Sequence, residues 1–249
     1  MDGVLWKADS PIGNLHAVFD LILNRGLKVA FATNNGTRTP EQYVERLSSF
    51  GVIIKPWQVV TSSLGVAHML SQAFPTGGPV FAIGEEGLIQ ALRKKGFETL
   101  SIGEANKSQA VVIGIDRSIN FEKMCEAALL VRHGVPFYAT NPDKTFPTPR
   151  GEIPGAGAWI SVIVTATGIE PIYAGKPSPY LLELAREMLG TEKEATLVVG
   201  DRLETDIAGG QAAGCPVALV LSGVSTLEQS KEWRPIINVV AEDLENLIK

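Results

Sequence analysis

The feature that most limits the folds open to this chain is a pattern it repeats: a short, mostly apolar run stops at a polar loop and has amphipathic helices on either side. Leu27 to Ala32 is such a run, and it ends at Thr33-Asn34-Asn35-Gly36. Runs of this kind read as buried strands, and buried strands alternating with helices specify a parallel, doubly wound α/β sheet. Before this run, Leu15, Val18, Phe19, Ile22 and Leu23 fall at helical spacing, with Gly26 placed to stop the helix. After it, Tyr43, Leu47 and Phe50 form another apolar face behind Pro40, closed by Gly51. The alternation returns near the carboxyl end. Leu182, Ala185, Met188 and Leu189 predict a helix, Thr196 to Val199 a strand, Asp206 to Ala213 a helix and Val217 to Leu221 a strand.

Between these pieces lies a long stretch with elements of its own. Val80 to Ile83, Ala110 to Ile113 and Phe137 to Ala139 read as strands, while Leu88 to Lys95, Phe121 to His133 and Ala158 to Thr167 read as helices. It is long enough for an independent core. The expected organisation is a sheet domain split between residues 1–62 and 169–249, with an α/β domain inserted over 63–168.

Composition narrows the function. A net charge of -5 and a pI near 5.3 argue against a nucleic-acid or anionic-membrane partner, both of which need a basic face. Cys125 and Cys215, the two cysteines, are too few and too far apart for a disulfide scaffold or a zinc cluster, and read as buried small hydrophobes. No apolar run approaches the length of a bilayer span and the first residues do not read as a secretory leader, so a cytoplasmic enzyme is expected.

In open α/β sheets ligands gather beyond the carboxyl ends of the strands, where Thr33, Lys176 and Asp201 are all expected to lie. These are residue types that handle a phosphate ester, which needs its oxygens neutralised and its geometry fixed. Thr33 offers a hydroxyl and, with Asn34 and Asn35, backbone amides that could turn toward an anion. Lys176 can set an ammonium against phosphate. Asp201 offers an oxygen ligand to Mg2+, and Asp206, five residues on, suits a metal-bound water or an orienting role. Other polar residues have simpler readings. His16, His68 and His133 lie in helical patterns without partner spacing, Glu85-Glu86 and Lys94-Lys95 read as solvated helix ends, and Trp57, Trp159 and Trp233 as packing residues.

Met1-Asp2-Gly3-Val4-Leu5-Trp6 is similar to the latter half of an Asp-x-Asp-Gly-Val motif. Taken in order with Phe31-Ala32-Thr33-Asn34-Asn35, Gly175-Lys176-Pro177 and Gly200-Asp201 through Asp206, it makes the chain resemble the haloacid dehalogenase-like phosphatases, in the branch of NagD and 4-nitrophenyl phosphatase. The spacing of 31 residues from Asp2 to Thr33 suits one β-helix-β unit. The resemblance implies a Rossmann-like core with an inserted α/β cap of the C2 type. It implies a Mg2+-dependent phosphatase that cleaves small phosphomonoesters (4-nitrophenyl, sugar, nucleotide or glycolate phosphates) through an aspartyl-phosphate. Asp2 is then the general acid/base, with its backbone carbonyl on the metal. Asn141 and Asp143, in the loop from Thr140 to Ala158, either face the substrate from the cap or form a structural turn before the helix at Ala158 to Thr167, and relatives of this kind often dimerise through the cap.

The resemblance also puts the nucleophilic aspartate one residue before Met1, at the end of a central strand flanked by those ending at Thr33 and Gly200. A polypeptide that starts at Met1 is therefore expected to be inactive and to fold poorly. Three or four buried side chains at about 1.5–3 kcal/mol each rival the roughly 5–15 kcal/mol stability of a domain. A misplaced sequence start explains this, as does a non-catalytic phosphometabolite-binding or regulatory protein that has lost its nucleophile. A pure interaction domain is a third reading.

Overall fold

Helices form where the sequence supplies both an apolar stripe and a cap. Leu15–Asn24 is capped by the Asn14 side chain, which accepts from the Ala17 amide at 3.2 Å, and it buries Leu15, Val18, Phe19 and Ile22. Pro40–Ser49 starts at a proline, whose missing amide costs nothing there, and buries Tyr43 and Leu47. Tyr180–Leu189 buries Leu181, Leu182 and Ala185 and ends at Gly190 in the left-handed conformation. The computed structural model describes residues 1–148 and 150–249, so of the loop from Thr140 to Ala158 only Pro149 lies outside the described residues.

The chain forms two compact units, both of α/β construction with parallel strand pairing. The first comprises Met1–Ala32, Pro40–Val60 and Lys176–Lys249, and the second Thr33–Thr39 and Thr61–Gly175. The division thus falls at different residues from those expected, and it assigns Thr33 to Thr39 to the second unit.

In the second unit five strands form one parallel sheet, in the order Ile172–Tyr173, Phe137–Ala139, Val111–Ile113, Gly78–Ile83 and Phe97–Thr99. Helices Phe121–Arg132 and Ala156–Thr167 pack their apolar faces, including Ala127, Val131, Ile160 and Ile163, against Phe81, Ile83, Val111 and Ile113. Sequence reading missed the hairpin Thr145–Thr148/Gly151–Pro154, and of the helix Ser62–Ala73 it marked only His68 as lying in a helical pattern.

In the first unit Val198–Gly200, Val217–Val220 and Val239–Ala241 make a parallel three-stranded sheet, while Phe31–Thr33 and Val59–Thr61, whose last residues are assigned to the second unit, form a separate two-stranded one. A cleft of about 490 Å3 is lined by Val29, Ala30 and Phe31 and by Thr196, Leu197, Val198 and Val199, among others. Two expectations are corrected here. The strands expected over Leu27 to Ala32 and Thr196 to Val199 are ladder-paired only at Phe31–Thr33 and Val198–Gly200, because their earlier residues border the cleft and meet no neighbouring strand. The helix expected from Asp206 begins sooner, as a π-helical turn over Leu203–Ile207 that leads into Ala208–Ala212. Cys215 is buried, but Cys125 is only half-buried. No helix among the described residues is long and apolar enough to cross a membrane.

Candidate active site

In the first unit four sequence-predicted residues gather around the carboxyl end of Val198–Gly200. Asp201 leaves that strand directly, and the π-helical turn brings Asp206 back over it. Both oxygens of Asp206 are engaged. Oδ1 accepts from Lys176 Nζ at 2.6 Å, and Oδ2 accepts the amides of Asp201 and Arg202 at 3.3 and 3.2 Å. Lys176 also reaches the Ala32 carbonyl at 3.3 Å and is itself buried. Burial pushes the Asp206 carboxyl up, but the Lys176 ammonium and the hydrogen bonds outweigh it, so its pKa lies below the usual carboxylate range.

Asp201 is held differently. Its Oδ2 accepts the Val224 amide at 3.0 Å, and its carboxylate lies hard against two α-carbons. A Cβ at Gly3 would stand 2.3 Å from Oδ2, and one at Gly223 only 2.0 Å away. Gly3 also has φ +73°, where a side chain is strained. The Gly3 carbonyl accepts from Ser222 Oγ at 2.7 Å, which ties the amino-terminal loop to the segment carrying Gly223. Burial and the neighbouring charge of Asp206 raise the Asp201 pKa. Asp2 is exposed, and its Oδ1 accepts the Trp6 indole N–H at 2.8 Å.

The remaining predicted residues lie together in the second unit. Thr33 is buried, and its Oγ1 accepts the Asn35 amide at 3.2 Å, so that amide turns to its own loop. Asn35 Oδ1 in turn accepts the amide and hydroxyl of Thr37 at 3.1 and 2.8 Å. Asn34 is the hub of the group. Its carbonyl accepts from Asn141 Nδ2 at 2.7 Å and from the Ser62 hydroxyl, and its Nδ2 donates to both Asp143 oxygens at 3.1 and 3.2 Å. The Asp143 amide donates to Asn141 Oδ1 at 3.1 Å, which closes the turn. Asn141 and Asp143 therefore hold the Asn34 loop through direct bonds.

Sequence reading missed Trp6 and Gly223, which touch Asp2 and Asp201, and Ser222, which bonds the Gly3 carbonyl across 219 residues. It also missed Ser62, which shares the Asn34 carbonyl.

Charge balance in the first unit bears on a metal. Two buried carboxylates face one lysine, and that lysine is bonded to Asp206, so Asp201 retains a carboxylate whose only side-chain bond among the described residues is one amide. No group of three or more His, Cys, Asp or Glu gathers among the described residues. A hard-oxygen site with one or two carboxylates suits Mg2+, which completes its shell with water and substrate oxygens, and does not suit zinc.

Two family models match the chain. Residues 1–98 match the family model of haloacid dehalogenase-like hydrolases, and residues 173–247 a HAD-hydrolase-like model. The chain is 38% identical over 252 residues to the acid sugar phosphatase of Staphylococcus epidermidis, spanning 98% of this chain and 96% of that one. It is 38% identical over 228 residues to the 5'-nucleotidase YutF of Bacillus subtilis, spanning 92% and 87%. Among solved structures it superposes on p-nitrophenyl phosphatase from Archaeoglobus fulgidus with a TM-score of 0.91 at 35% identity, covering 99% and 95% of the two chains. With NagD from E. coli K-12 the TM-score is 0.90 at 32% identity, covering 98% and 94%.

Proposed function

Because the chain belongs to the haloacid dehalogenase-like hydrolases, in their NagD-like branch, we propose that it serves a Mg2+-dependent phosphatase of small phosphomonoesters that works through an aspartyl-phosphate. The observation that carries the reading is the Lys176–Asp206 pair beside a glycine-cradled Asp201. Asp201 and the Asp2 backbone carbonyl would hold the cation, and Asp206, both of whose oxygens are already engaged, would orient Lys176 and the Asp201 loop beside it. Bound Mg2+ neutralises the phosphoryl oxygens and fixes the ester for in-line attack. Lys176, oriented by Asp206, sets its ammonium charge against phosphate in a buried setting where such an interaction is strong. Asp2 gives a proton to the departing alcohol and later takes one from water.

Thr33 and Asn34 bind the phosphoryl group, with the Thr33 hydroxyl keeping its own proton to donate while its oxygen accepts from Asn35, whose amide therefore shapes the loop rather than facing the anion. The second unit acts as the cap that selects the substrate. The names of the relatives, an acid sugar phosphatase, a 5'-nucleotidase and a p-nitrophenyl phosphatase, set the panel: sugar phosphates, nucleoside monophosphates and 4-nitrophenyl phosphate.

The test measures phosphate release with Mg2+ by residues 1–249 and by a form extended upstream through the aspartate that the resemblance expects. Release from at least one ester, abolished by chelation, supports the reading. Stabilisation by Mg2+ and phosphate with no turnover in either form would turn it into a binding protein.

A further inference from the structure

We propose that Trp6 is a positioning residue for Asp2, and that its indole N–H selects which carboxylate oxygen exchanges a proton with the substrate. This rests on the acid/base reading of Asp2 given above. The Trp6 Nε1 lies 2.8 Å from Asp2 Oδ1, and an indole nitrogen can only donate. Asp2 is exposed, so packing does not fix its carboxylate, and this bond is its one side-chain hydrogen bond among the described residues.

Trp6 is itself immobile. It is 1% exposed, with the Arg46 guanidinium carbon 4.5 Å from its ring centroid and the Phe50 ring 6.0 Å away at a 42° tilt. Arg46 is anchored by the Ala8 carbonyl and by Asp9, 3.6 Å away. The helix Pro40–Ser49, which supplies Arg46, thus acts on the carboxylate through an aromatic ring.

With Oδ1 held as acceptor by the indole, Oδ2 is the oxygen assigned to proton exchange with the substrate. As phosphorus passes to the nucleophilic carboxylate and its bond to the alcohol oxygen breaks, Oδ2–H gives that proton to the departing oxygen. Oδ2 then takes one back from the water that attacks phosphorus and frees the carboxylate.

The test compares Trp6→Phe, which keeps a ring but loses the N–H, with Phe50→Leu, which loosens the ring's packing but keeps it. Both are assayed in the form that turns over. Loss of positioning should lower kcat/KM for a sugar phosphate about tenfold to a hundredfold, and for 4-nitrophenyl phosphate less than about threefold, because nitrophenolate leaves without a proton. Phe50→Leu should lower both by the same factor. Equal losses in Trp6→Phe overturn the proposal.

A second measurement needs no activity. In residues 1–249, Asp2→Ala should move the Trp6 indole N–H resonance, assigned by its disappearance in Trp6→Phe, and speed its exchange with solvent. An unmoved indole resonance overturns the proposal even if the phosphatase reading stands. A moved one in a protein with no turnover upholds the contact and places the failure in that reading.

Discussion

Asp201 has its carboxylate wedged between the α-carbons of Gly3 and Gly223, so the glycines matter as much as the acid. Gly223→Ala puts a methyl where Oδ2 now stands, and residues that orient a ligand typically account for about tenfold to a hundredfold in metal affinity. A loss of that size in Mg2+ affinity by calorimetry, in a protein that still folds, is the expected result. Lys176→Met strands the Asp206 carboxylate in a buried site and should cost about 3–5 kcal/mol in urea unfolding, of which Lys176→Met/Asp206→Leu recovers part. If the double variant is no more stable than the single one, the pair is not coupled as described. Lys176 and Asp201 were legible in the sequence because each was expected at the carboxyl end of a strand and has a charge suited to phosphate chemistry, whereas Asp206 was picked out by its spacing from Asp201 and Asp2 by the family resemblance alone. Trp6 and Gly223 were not, because their importance is a contact that chain spacing does not encode.

Elements show the same division between local and non-local information. Helices were legible wherever an apolar stripe ended at a glycine, as at Gly26, Gly51 and Gly190. The hairpin Thr145–Thr148/Gly151–Pro154 was not, because its residues are mostly exposed and lack an alternating apolar face. Strand lengths were overestimated where pairing partners are missing, at Leu27 to Ala30 and at Thr196 and Leu197. This predicts a contrast in amide exchange. Val198–Gly200 is ladder-paired on one edge and borders the cleft, whereas Val111–Ile113 is paired on both edges and fully buried. Val198 and Val199 should exchange at least about a hundredfold faster than Val111 and Val112, as expected for elements of low local stability. Equal protection would mean that the cleft side is covered in solution.

A second element-scale prediction concerns the turn before Phe121–Arg132. Buried Asp116 accepts from Lys123 Nζ at 2.7 Å and from the Ser118 amide and hydroxyl at 2.8 and 2.7 Å. Burial alone would raise its pKa, but these bonds outweigh it and lower the value. A depressed folded-state pKa contributes stability that is present above the ordinary carboxylate range and lost as pH falls through the folded value. Asp116→Ala should therefore cost about 1–3 kcal/mol at neutral pH and progressively less on acidification. A cost that does not change with pH would refute this assignment.

At the scale of the whole molecule, two units each bury a core of their own, one built on Leu15, Phe19, Phe31 and Leu47, the other on Phe81, Val111, Ile160 and Ile163. The acids and lysine belong to the first, while the Asn34 hub belongs to the second. The alternation of strands and helices made the α/β class legible from sequence alone, but the assignment of Thr33 to Thr39 was not, because it depends on bonds from Ser62, Asn141 and Asp143 far along the chain. The central claim is a Mg2+-dependent phosphatase, and phosphate release by the protein with and without a chelator tests it most directly. The account predicts release from a sugar phosphate, a nucleoside monophosphate or 4-nitrophenyl phosphate that stops with EDTA, returns with excess Mg2+ and falls at least about a hundredfold in Asp201→Asn. Release that is indifferent to the chelator and to Asp201→Asn, or no release from any ester in the panel, would contradict it.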